Sequence, residues 1–177
     1  MIRTSLIAAA LLAGCATAAT NSASATAAAS TTEASEEAAE TMMKAEGPSL
    51  VSTVSANDFA TTLAKLRAGV DARGFKTFAV VDHKAGAKTV GQELRPTTLV
   101  IFGNPKGGTP LMQSAQTLGI ALPLKALVYE NEDGEVIVAT TDIVRTLHEH
   151  GVKDREPLAA RVAGALNAIA SEAAAAE

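Results

Sequence analysis

From Leu50 onward the hydrophobic pattern resolves into alternating strands and helices. Leu50 to Val54 reads as a short strand. Ser55 or Asn57 is placed to cap the helix that follows, and Ser55 with Asp58 has the spacing of a capping box. Phe59, Leu63, Leu66 and Val70 then recur at steps of four, three and four, one apolar face of a helix that Gly74 ends in a left-handed cap. Phe75 to Asp82 predicts a second strand, and His83 to Gly91 a short helix. Thr97 to Phe102 is nearly continuous in β-formers and predicts a central strand. Gly103 to Thr109 reads as a loop, with Thr109 capping a helix over Leu111 to Leu118 whose first turn holds Pro110. Leu124 to Glu130 and Glu135 to Thr140 are strands joined at Asn131–Gly134, a hairpin signal. Val144 to His150 predicts a short helix stopped by Gly151. A last helix opens at Pro157, buries Leu158, Val162, Leu166 and Ile169, and frays in its Ala-rich tail. The hairpin argues against a purely parallel sheet. The pattern predicts an α+β fold, with a mixed or mainly antiparallel curved sheet of about five strands and helices on one face.

Composition changes this picture at the two ends. The hydrophobic fraction of 47% overstates the core, because alanine fills both termini. All five aromatics lie between Phe59 and Tyr129, so that stretch and its flanks must supply the core. Before it, Arg3 and the eight apolar residues Leu6 to Ala13 form a signal-like leader too short to span a bilayer. Leu12-Ala13-Gly14-Cys15 resembles the bacterial lipobox, which implies lipidation at Cys15 after removal of residues 1–14. Ala16-Thr17-Ala18 offers an ordinary cleavage site as the alternative. Ala16, where aspartate would favour inner-membrane retention, points to a periplasmic protein on the outer membrane. Residues 15–47 carry Ala, Ser, Thr and Glu without enough apolar surface to offset ordering entropy, and read as a disordered tether. The tether also holds the acidity, five glutamates against Lys44, whereas residues 48–177 carry 14 acids against 13 bases. A nearly neutral domain without a basic run lacks the charge for nucleic-acid binding. Cys15 is the only cysteine, which excludes an internal disulfide and a four-cysteine zinc site.

Several blocks resemble a known family. They are the strand ending in Asp82-His83 with Ala85, Ala87, Gly91 and Leu94 after it; LVIFGNPKGGTPLM from Leu99 to Met112; and LPLKALVYENEDGEV from Leu122 to Val136. Together they resemble the domain-of-unknown-function family 302 (DUF302) over roughly Val51 to His150. The domain is accordingly set at 48–150, with a C-terminal helix and Ala-rich tail over 151–177. The resemblance implies a small domain of TATA-binding-protein-like arrangement, a curved sheet gripping a helix. It brings no settled reaction or cofactor.

Candidate chemistry is sparse. In the turn Asn104 to Thr109, Gly107, Gly108 and Thr109 offer N–H groups at a helix start and Lys106 adds a positive charge, a cradle for a carboxylate or phosphate. The lysine precedes the glycine pair, so this is not a Walker loop. The plainer reading is a turn shaping a strand-to-helix corner. Asp82 and His83 close a strand where side chains line a pocket mouth, with Asp82 as a helix cap in the plainer reading. Tyr129 is a potential donor to a ligand or a packing residue. His148 and His150 do not share a helix face and make a poor metal chelate. No metal or cofactor is expected. Three functions compete: a non-enzymatic envelope module binding a small anionic ligand or a protein partner; a hydrolase or isomerase using Asp82, His83 and the glycine turn; and a structural module forming a homodimer.

Overall fold

The computed structural model describes residues 49–176. The leader, Cys15 and the tether to Gly47, with Pro48, lie outside the described residues. The elements run β1 (Leu50–Val54), α1 (Phe59–Ala72), β2 (Lys76–Asp82), α2 (His83–Thr89), β3 (Thr97–Gly103), α3 (Pro105–Ser114), a 3-10 turn (Gln116–Ile120), β4 (Leu124–Glu130), β5 (Val136–Thr141), α4 (Ile143–Glu149) and α5 (Glu156–Ala174).

The sheet has five strands in the order β1-β5-β4-β3-β2, and every neighbouring pair is antiparallel. The expected α+β class stands, with a wholly antiparallel sheet rather than a mixed one. β1 and β2 occupy opposite edges, so α1 must carry the chain across the whole sheet. Four strand spacings of about 4.8 Å make a width of about 19 Å. The 14 residues of α1 rise about 21 Å, which matches that crossing.

Alternation along the strands sorts the side chains. Val100, Phe102, Ala126, Val128 and Val138 face the helices and join Leu66, Val70, Leu166 and Ile169 in one core. Helices α1 and α5 pack against each other over this face, with α4 beside α5. Phe75, just before β2, meets Phe102 edge to face at 5.5 Å between ring centroids.

The junction of α1 with α5 departs from the sequence reading in two ways. Asp58, not Ser55 or Asn57, is the N-cap of α1, accepting from the Thr61 N–H at 2.8 Å. Ser55 and Asn57 are used elsewhere. Ser55 Oγ bonds Thr62 Oγ1 at 2.7 Å, and Asn57 Nδ2 donates to the carbonyls of Ala173 (3.2 Å) and Ala175 (2.7 Å). The Ala-rich tail does not fray. Helix α5 continues to Ala174, and Ala173 and Ala174 are buried. Its last carbonyls, which no helical N–H can reach, are taken by the Ala56 N–H, by Asn57 and by Lys65 Nζ. Residues 151–176 thus pack with the elements that begin at β1.

A fork of hydrogen bonds from Arg73, at the end of α1, to Glu172, in the last turn of α5, adds a further tie to the same end of α5. That pairing holds the Glu172 carboxyl below its ordinary value, chiefly through the Arg73 hydrogen bonds. The Thr61 N–H, first among its partners, does the same for Asp58.

Two outcomes follow. Asn57→Ala should destabilise the fold by about 1–2 kcal/mol in urea unfolding, the loss of hydrogen bonds to helix-end carbonyls. Both lowered carboxyls bind fewer protons folded than unfolded. Their contribution is therefore complete above the unfolded carboxylate pKa of about 4 and is lost as pH falls through the folded values. The acid limb of stability against pH should flatten in Glu172→Gln; an unchanged limb would count against the pairing.

Candidate functional site

The glycine-rich segment is helix, not loop. Asn104 is the N-cap of α3, with Pro105 at its first position. This start lies ahead of the expected Thr109-Pro110 because an Asn-Pro pair supplies both a capping oxygen and a preset φ. Asn104 Oδ1 accepts from the Lys106 N–H at 3.0 Å, and the Asn104 carbonyl accepts from the Gly107 and Gly108 N–H groups at 3.0 Å each. Asn104 Nδ2 donates to the Gly74 carbonyl at 3.2 Å, tying the turn to the end of α1. Of the three N–H groups expected to form an anion cradle, those of Gly107 and Gly108 are thus engaged within the helix start, as is that of Lys106.

The glycines create room instead. Neither Gly107 nor Gly108 has a positive φ, so backbone strain does not demand them. A β-carbon on Gly107 would meet open space, and one on Gly108 would stand 3.8 Å from Leu122. Beneath this bare side of α3 lies a cavity of about 290 Å³, walled by Phe75, Phe78, Gly108, Met112, Leu122 and Val162, with Asn104 and Thr109 at the turn. Its walls are almost wholly hydrocarbon. Phe78, half exposed, forms its outer wall at the point where β2 shifts register between Thr77 and Ala79. Gly103 lets the ring approach, since a β-carbon there would sit 3.3 Å from it. Lys76 Nζ stands 5.9 Å from the centre of the Phe78 ring. Lys106 is exposed on the first turn of α3.

The predicted residues divide into two groups. Asn104, Gly107, Gly108 and Thr109 line the cavity, with Lys106 on the same turn. Asp82, His83 and Tyr129 lie at the other end of β3, where Asp82 pairs with Thr98 and Tyr129 with Thr97. The seven residues of β3 put about 20 Å between the groups. Asp82 spends its carboxylate on the Ala85 N–H at 2.9 Å, capping α2. His83 begins that helix, exposed. Tyr129 is half-buried on the sheet face away from the core. An open depression at this end is lined by Lys84, Arg95, Pro96 and Glu130, and by none of those three residues. His150 Nδ1 lies 2.9 Å from Thr117 Oγ1. Among the described residues no group of three His, Cys, Asp or Glu side chains is gathered to hold a metal.

The sequence reading missed the cavity walls. Phe75, Phe78, Met112, Leu122 and Val162 come from four separate segments. The one local signal was a glycine pair beside a long apolar residue, which marks a helix face without side chains.

Residues 51–173 match the family model described as domain of unknown function DUF302. The chain belongs to the DUF302 family. The match includes α5, beyond the span to His150 that the motifs carried. A crystal structure of an uncharacterised conserved DUF302 protein from Bacillus stearothermophilus superposes with a TM-score of 0.65 at 15% identity, covering 71% of this chain and 98% of that one. It shares the DUF302 fold. Among curated proteins, fluoride-specific ion channels FluC 1 of Brucella suis and Brucella abortus are each 40% identical over 103 residues. That stretch is 58% of this chain but 41% and 38% of theirs, so the chain spans about two fifths of the length of these relatives. No helix among the described residues is long and apolar enough to cross a membrane.

The roles of the two glycines separate by stability. Gly107→Ala should stabilise the fold by about 0.5–1 kcal/mol, because it removes glycine from a helix interior without a clash. Thermal or urea unfolding checks this, and a destabilised variant would mean that position 107 needs its bare backbone.

Proposed function

We propose that this DUF302 protein is a non-enzymatic binding module of the bacterial envelope, held to the outer membrane by lipid on Cys15, and that its cavity takes a small amphipathic acid. The apolar end of such a ligand lies between α3 and the Phe75–Phe78 wall, and its carboxylate meets Lys76, with Lys106 on the adjacent turn. The observation that carries this reading is the apolar cavity itself, about 290 Å³, which is at the small end for ligand sites. An anion alone has no polar wall to satisfy it there; a hydrocarbon tail does. The expected small anionic ligand is kept, with its charge moved from the helix start to the lysines.

The envelope setting is supported by the leader and by Cys15. It fits the Brucella relatives, whose names describe fluoride-specific ion channels and whose chains contain a similar stretch. The alternative hydrolase or isomerase gains no such support. Its Asp82 is engaged in capping, and its His83 stands about 20 Å from the glycine turn, by the rise of β3.

Isothermal titration of the full chain with decanoate tests the proposal. Saturable binding is expected, with a rise in Tm at excess ligand. Gly108→Leu, which fills the cavity from a helical position, should abolish binding while leaving the circular dichroism spectrum unchanged. Decanoate heat that does not saturate, or that persists in Gly108→Leu, would overturn the assignment. Lys76→Met should weaken decanoate about tenfold while leaving decanol unaffected. Equal loss of both would take the carboxylate away from Lys76.

A further inference from the structure

The register gathers one end of every strand into a row. Leu50 opens β1 opposite Thr141 at the end of β5, Lys76 opens β2 opposite Gly103 at the end of β3, and Leu124 opens β4 opposite Phe102. Ala126 of β4 pairs with Thr140 of β5, which joins the two halves of the row. The cavity lies at this end of the sheet, since Gly103, Asn104, Pro123 and Leu124 line it. The segment leading from Cys15 joins the domain at the same end, at Leu50.

Large apolar side chains stand out from this end. Leu50 is 51%, Phe78 50% and Ile120 83% exposed. Ile120 belongs here because it precedes Ala121, whose carbonyl accepts from Lys125 Nζ at 2.8 Å, and Leu122, a wall of the cavity. The charge around Phe78 and Ile120 has one sign. From Arg73 to Val81, and again from Pro96 to Tyr129, the sequence holds no acid, although the domain as a whole is nearly neutral. Lys76 and Lys106 are both exposed. The first stands 5.9 Å from the centre of the Phe78 ring, and the second sits between the cavity residues Pro105 and Gly107. Asp142, an acid that follows β5 at this end, has its carboxylate on the Arg145 N–H at 3.0 Å, capping α4.

We infer that this end of the sheet docks on an anionic lipid surface, with Phe78 and Ile120 entering the layer below the headgroups and Lys76 and Lys106 meeting lipid phosphates. The inference rests on the lipid anchor and the cavity ligand proposed above and names where that ligand comes from: its hydrocarbon tail passes between bilayer and cavity without crossing water. Two arguments select the bilayer. Exposed apolar side chains beside unopposed lysines are what an anionic interface accepts, the first by burial and the second by attraction to phosphate. A second copy would set lysines against lysines, and two lysines are too few for a nucleic acid. The other argument is the route of the chain. An anchor on Cys15 reaches the domain at Leu50, on the cavity's own side, so docking this end needs no path around the domain. A domain already held at the bilayer also needs only weak affinity for it.

The test uses the full chain carrying Cys15→Ser, which removes the anchor and the chain's own thiol. A polarity-sensitive dye is then attached through Ile120→Cys or, at the opposite end of the sheet, through Val54→Cys, itself 57% exposed in the native chain. Vesicles of phosphatidylcholine with about one-third phosphatidylglycerol should shift the Ile120→Cys dye to the blue and leave the Val54→Cys dye unchanged. Lys76→Gln with Lys106→Gln should weaken this binding about tenfold, as should vesicles of phosphatidylcholine alone. A shift at both positions or at neither overturns the inference. So does a shift at Ile120→Cys that ignores both the lysines and the lipid charge, or that an acidic polypeptide reproduces without vesicles. Ile120→Asp separates the two readings, because Ile120 is not a wall of the cavity. It should lose vesicle binding and keep decanoate binding. Saturable decanoate binding without docking defeats this inference alone, and docking without decanoate binding defeats the cavity ligand alone.

Discussion

The fold depends on one geometric demand: a single helix layer must cover a sheet whose first two strands stand at opposite edges. Helix α1 meets it by spanning the full width, and α5 lies beside it to complete the layer. Neither helix is anchored by packing alone. The start of α1 grips the end of α5 through Ala56, Asn57 and Lys65, and Arg73 fixes Glu172 one turn earlier on α5. These contacts join residues more than 95 positions apart, so they close the domain rather than shape a local turn. With that layer in place, the core face is sealed.

Much of this was legible in the residues. The period of α1, the strands β3 and β4 and the hairpin between β4 and β5 all follow from hydrophobic spacing and turn chemistry. Gly74 and Gly151 take the left-handed conformation expected where helices end. What was not legible needed a partner distant in sequence. Asn57 looks like a cap until α5 arrives to receive its amide. The Ala-rich tail looks unable to pack until α1 supplies a groove narrow enough for methyl groups. The start of α3 was misread for a local reason, because Gly107 and Gly108 have turn composition and yet sit in a helix opened by Asn104 and Pro105.

The candidate site teaches the same lesson from the other side. Sequence singled out the Asn104–Thr109 segment as an anion cradle, a chemistry for which its hydrogen bonds do not leave the Gly107 and Gly108 N–H groups available. Its polar groups serve the helix start, and what the glycines contribute is missing volume. Missing volume has no signature in a linear pattern. It emerges only when Phe75, Phe78, Leu122 and Val162 are brought around it, and the register shift in β2 at Phe78 is itself a tertiary event.

The clasp on α5 has a consequence for how the molecule comes into being. The carbonyl of Ala175 is bonded by both Asn57 and Lys65, at sequence separations of 118 and 110. In a polypeptide made from its N-terminus, α1 therefore emerges long before the helix that must lie beside it. Through that interval the helix layer stays half built, and the nascent domain is kept pliable until α5 arrives to lock it shut.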